Sequence, residues 1–85
     1  MIYYFDTSAL VKLYHRELGT DHVLPIYQGA ETIYLSELSR IEFIATVSRK
    51  YREHALTLDT LHALSAKFHE DLEQRYKVLT IANRK

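Results

Sequence analysis

The chain has 85 residues, 47% of them hydrophobic, which is the composition of one small packed domain and excludes a disordered segment. Its 11 Lys and Arg balance 11 Asp and Glu, so the broad basic footprint of a sequence-independent nucleic-acid binder is missing, and the absence of cysteine rules out disulfides and thiolate metal centres. No apolar run is long enough to span a bilayer and no basic segment precedes the opening run, so a soluble, cytoplasmic protein with no membrane partner is expected.

Met1 to Phe5 reads as a short buried strand that stops at Asp6, and Thr7 or Ser8 begins a helix expected to reach about Glu17, with Gly19 suited to a left-handed cap. Asp6 is thereby delivered to the carboxyl end of a strand, where α/β sheets open a ligand crevice. Two readings stand there: Asp6 helps to start the helix, or it offers an ionised carboxylate to a hard cation such as Mg²⁺. Thr20 and Asp21 cap a second helix that runs to Gln28, and Pro25 is expected to tighten or kink its first turn.

Thr32-Ile33-Tyr34-Leu35 is a second strand by its β-branched and aromatic content, ending at Ser36. Leu38, Ile41, Ile44, Ala45, Ser48 and Tyr51 recur at helical steps and predict the apolar face of a long helix, with Arg49, Lys50 and Arg52 at its negative end. Within that helix Ser39-Arg40-Ile41-Glu42 fits a capping box, so Glu42 either reaches back to an amide or points from the stripe's edge into a cleft.

Thr57 or Asp59 caps a further helix with Leu58, Leu61, Ser65, Phe68 and Leu72 along one stripe, leaving Glu70, Asp71 and Glu73 as a solvated acidic cluster. Tyr76 to Ile81 closes the chain as a third strand. Strands and helices alternate, which predicts one α/β domain with a parallel sheet flanked by helices. The last strand has no helix after it to cover its apolar residues, and self-association is expected from that exposure. The five histidines form no His-x-x-x-His pair, so they do not read as a zinc site.

Three stretches together resemble the PIN domain family, and within it the VapC-type toxins of toxin–antitoxin pairs. They are Tyr4-Phe5-Asp6-Thr7-Ser8-Ala9-Leu10-Val11-Lys12-Leu13-Tyr14, Leu35-Ser36-Glu37-Leu38-Ser39-Arg40-Ile41-Glu42-Phe43, and Phe68-His69-Glu70-Asp71-Leu72 before the last strand. The resemblance implies a Rossmann-like sandwich and Mg²⁺- or Mn²⁺-dependent cleavage of RNA, with an antitoxin-type protein partner. Asp6 matches the family's first acid, Glu42 its second, and Ser8 a small polar position beside the metal. The family's third acid follows the third strand, where this sequence stops, so the resemblance also implies a domain without its C-terminal part. Leu58-Asp59-Thr60-Leu61-His62 looks locally like the third-acid motif, but it precedes the third strand and reads as a helix start. Two functions remain open at this stage: a weakly metal-binding ribonuclease, or a non-catalytic remnant that oligomerises or binds a partner.

Overall fold

The computed structural model describes residues 2–16 and 19–80. Its elements are β1 (Ile2–Phe5), α1 (Thr7–Tyr14), α2 (Thr20–Gly29), β2 (Thr32–Ser36), α3 (Glu37–Arg52), α4 (Leu58–Gln74) and β3 (Tyr76–Leu79). The strands form one parallel sheet in the order β1-β2-β3. Helical crossovers are the expected connections, because parallel neighbours cannot be joined by a tight turn. Two right-handed crossovers that step the same way across a sheet leave their helices on the same face.

The register and burial place the core on one face of the sheet. Tyr3 and Phe5 lie beside Ile33 and Leu35, which in turn lie beside Tyr76 and Val78, so these side chains share one face. Phe5, Ile33, Leu35 and Tyr76 are buried with Leu10, Val11, Phe43, Val47, Leu64 and Phe68 from the helices. Aromatic rings fill the centre: Phe43 and Phe68 have centroids 4.4 Å apart, and Tyr14 stands 5.5 Å from each. The opposite face is open, with Ile2 64% and Tyr4 56% exposed, an unusual state for a parallel sheet.

Several local expectations change. Helix α1 ends at Tyr14, short of Glu17, which lies outside the described residues, because His15 turns to extended backbone. Gly19 does adopt a left-handed φ of 99°, but as the residue that opens α2. A Cβ there would stand 2.7 Å from Lys12 Cε, so the close approach also requires glycine. Pro25 falls in the interior of α2, past its first turn, where it withholds the amide that would bond the Asp21 carbonyl. Strand β3 ends at Leu79, with Thr80 already outside it; Ile81 lies outside the described residues.

The largest correction concerns α3. Its buried residues are Ser39, Phe43 and Val47, whereas Leu38, Ile41, Ile44, Ala45 and Tyr51 are exposed. The helix carries apolar residues on two faces, and the face with Phe43 prevails because that ring packs into the Tyr14–Phe68 cluster. In α4 the buried set is Leu64, Phe68 and Asp71, with Leu58 exposed, so Asp71 leaves the expected solvated cluster for the interior.

Candidate active site at the carboxyl edge of the sheet

Two strands end in the same way. β1 ends at Phe5 and Asp6 becomes the N-cap of α1, its Oδ1 accepting from the Ala9 amide at 2.9 Å. β2 ends at Ser36, the N-cap of α3, whose Oγ accepts from the Ser39 amide at 2.9 Å. The N-cap expected at Thr7 or Ser8 is therefore Asp6 itself. The capping box expected at Ser39 is also displaced, since Ser39 lies inside the first turn and Glu42 nearly two turns in. Because Phe5 pairs with Leu35, the next residues, Asp6 and Ser36, come side by side at the edge of the sheet.

Release from the capping box leaves Glu42 free to reach α1. Thr7 Oγ1 donates to Glu42 Oε1 at 2.8 Å across 35 residues of sequence, which ties the second acid to the residue next to the first. Asp6 and Glu42 are both exposed, and each keeps one carboxylate oxygen without a hydrogen-bond partner among the described residues. The N-termini of α1 and α3, capped by the neighbouring Asp6 and Ser36, each carry a positive dipole end, which favours anions there. Ser8, the second residue of α1, accepts from Lys12 Nζ at 2.7 Å, one turn further along the helix.

Asp59 lies elsewhere. It is exposed in the first turn of α4, whose N-cap is Thr57, and about 15 Å of helix separates Glu42 from the turn that leads to it. Among the described residues, no three His, Asp or Glu side chains gather as a metal-holding group. The donor set at the strand ends consists of two carboxylates and neighbouring hydroxyls. Such oxygens fit Mg²⁺, which uses one or two protein carboxylates and keeps several waters.

A second carboxylate site was not legible in the sequence. Asp71 is 1% exposed and accepts hydrogen bonds from Tyr14 Oη and, at 3.1 Å, from Tyr27 Oη, while Lys67 Nζ lies 3.3 Å from its Oδ1. Tyr14 spends its one proton on Asp71, so Tyr76 is the donor in the Tyr14–Tyr76 contact. Arg75 completes the surround, with its guanidinium 4.2 Å above the Tyr27 ring and donating to the Tyr27 carbonyl at 2.6 Å. Burial pushes the Tyr14 phenol far above its ordinary value, helped by Tyr76 and Asp71, and burial likewise raises Tyr76. The hydrogen bond to Asp71 raises Lys67. A cavity of about 400 Å³ opens beside this cluster, between Leu13, Leu24, Ala63 and Leu64.

The PIN domain model matches residues 3–85, which is nearly the whole chain. The chain belongs to the PIN domain family. No curated protein matches it. Family membership agrees with the observed three-stranded parallel sheet and four helices, and it supports a nuclease-like activity of the kind that PIN domains perform with divalent metal ions. No described helix is long and apolar enough to cross a membrane.

Proposed function

We propose that this PIN domain is a ribonuclease module of the VapC toxin type, acting on RNA in the cytoplasm and countered by an antitoxin-type protein. The supporting observation is the Thr7–Glu42 hydrogen bond, which ties Glu42 to the residue that follows the cap residue Asp6. Asp6 and Glu42 would hold Mg²⁺ or Mn²⁺, and Thr7 and the Ala9 amide orient the two carboxylates by hydrogen bonds. The chemistry such an ion would supply there is activation of a water and stabilisation of charge on the scissile phosphate. The helix N-termini and Lys12 orient the phosphate, and Ser8 holds Lys12 in place.

Two carboxylates make a weak cage, and Asp59 does not reach it, so the 85-residue chain binds metal weakly and cleaves RNA slowly or not at all. The test is Mn²⁺ titration and cleavage of structured RNA by the purified chain, beside Asp6→Asn and Glu42→Gln. Weak metal binding lost in both variants is expected. Metal binding that survives both substitutions would remove this reading, and robust cleavage abolished by either one would show that two acids suffice. A partner-binding module is the second reading, favoured by the open sheet face at Ile2, Tyr4 and Leu79. It predicts no metal-dependent cleavage and capture of an apolar segment that protects β1 amides from exchange.

A further inference from the structure

Parallel sheets are covered on both faces in nearly every fold, and here one face is bare among the described residues. The register sets Tyr4, Tyr34 and Lys77 side by side in one row across all three strands. Alternation turns this row away from the buried face of Phe5, Ile33 and Leu35. Tyr4 and Lys77 are exposed and Tyr34 is half-buried. The strands contain no acidic residue, and Lys77 is their one charged side chain.

We propose that this open face binds single-stranded RNA, with bases stacked on Tyr4 and Tyr34 and a phosphate held by Lys77. Aromatic side chains on an exposed sheet are platforms for unpaired bases, because every base has a π-face and stacking asks for no particular sequence. Neighbouring strands stand about 4.8 Å apart, so the two rings serve neighbouring bases. The ammonium that ends the row supplies the charge a phosphate needs, and no carboxylate on the strands opposes it. An aliphatic protein segment is served less well. The aliphatic residues of this face, Ile2 and Leu79, sit at opposite corners of the sheet, two strand spacings and four residues apart, or roughly 16 Å.

The platform leads to the strand-end site. Asp6 keeps extended backbone, with φ −93° and ψ −180°, so the alternation of β1 carries through it and sets Asp6 in line with Ile2 and Tyr4. About 6.6 Å of strand separates Tyr4 from Asp6, and a chain stacked on Tyr4 continues toward the carboxylates. The choice of RNA rests on the nuclease reading above. The stacking itself requires neither Asp6, Glu42 nor a metal, so the two are tested apart.

Fluorescence anisotropy of a labelled ten-nucleotide oligouridine, titrated with the full chain in EDTA at low salt, measures the binding. A dissociation constant on the order of 0.1 mM is expected, with the oligouridine–oligoadenosine duplex bound more weakly because its bases are already stacked. Tyr4→Ala and Tyr34→Ala should each weaken binding by roughly tenfold with an unchanged circular dichroism spectrum, whereas Tyr4→Phe should keep wild-type affinity, because the ring stacks and the hydroxyl does not. Lys77→Ala should lower the slope of log affinity against log salt by about 0.7. Mn²⁺ titration of Tyr4→Ala should match wild type, which separates the platform from the strand-end site. The absence of binding up to about 1 mM chain overturns the proposal, as does binding that ignores both alanine substitutions or equal binding of the duplex. A Tyr4→Ala chain that keeps its RNA affinity and loses capture of an apolar segment also overturns it, by giving the face to a protein. Should Tyr34→Ala fail to fold, the exposed positions decide: unchanged affinity in Tyr4→Ala with an unchanged salt slope in Lys77→Ala refutes the platform.

Discussion

Asp71 and the Asp6–Glu42 pair are carboxylates of the same chain in opposite circumstances. Asp71 is buried, and its oxygens are taken up by Tyr14, Tyr27 and Lys67. Asp6 and Glu42 are exposed, and each gives one oxygen to a neighbour and leaves the other without a partner among the described residues. The difference lies in what remains to be satisfied. A carboxylate whose valences are filled from three helices fixes how those helices pack, whereas one held by a single hydrogen bond is oriented and still available to a ligand. Acidity by itself therefore says little about function in this chain.

The strongest way to break the contrast is to remove the buried carboxylate. Asp71→Ala removes the acceptor of the Tyr14 and Tyr27 phenols, and a loss of about 2–3 kcal/mol is expected. That is a large share of the stability of so small a domain. Urea unfolding followed by circular dichroism measures it, and a loss below about 1 kcal/mol would mean that the cluster contributes little to holding α1, α2 and α4 together.

A smaller effect should appear in alkaline solution. The folded values of Tyr14 and Tyr76 are raised, so both phenols stay protonated in the native state at pH values where they ionise in the unfolded chain. Their contribution is complete below about pH 10 and declines as pH rises beyond it, by up to about 1.4 kcal/mol per pH unit for each tyrosine. Tyr14→Phe should make the alkaline decline of melting temperature shallower, at a cost near neutrality of about 1–2 kcal/mol for the lost bond to Asp71. An unchanged slope would assign alkaline unfolding to other groups.

How legible these features were follows from the range of the interactions behind them. The alternation of strands and helices, the parallel sheet and the strand-end position of Asp6 are written in neighbouring residues, and they appear as expected. Asp71 was misplaced because its partners Tyr14 and Tyr27 lie 57 and 44 residues away, and nothing in Glu70-Asp71-Leu72-Glu73 marks one acid as different. The buried face of α3 was misplaced for a related reason. The stripe read from periodicity was the one through Leu38, Ile41 and Ile44, and only the docking of Phe43 against rings from α1 and α4 turns the other face inward. Glu42 shows the mixed case, since its local sequence suggested a cap and its actual partner, Thr7, sits across the fold.

The smallest effects sharpen the comparison from the other side, because a residue kept for a ligand should be nearly dispensable for stability. Asp6 accepts from the Ala9 amide, so Asp6→Ala removes an N-cap and should cost about 1 kcal/mol. Asp6→Asn retains a capping oxygen and should cost only a few tenths of a kcal/mol. Glu42→Gln keeps an oxygen that can accept from Thr7, and a change within about 0.5 kcal/mol is expected there as well. If the strand-end site serves a divalent cation, all three variants lose Mn²⁺ binding alike, so metal affinity and stability separate: Asp6→Asn and Asp6→Ala differ in melting temperature and agree in titration. At Asp71 no such separation exists. Should Asp6→Asn keep both its stability and its Mn²⁺ affinity, capping would be the whole of what Asp6 does.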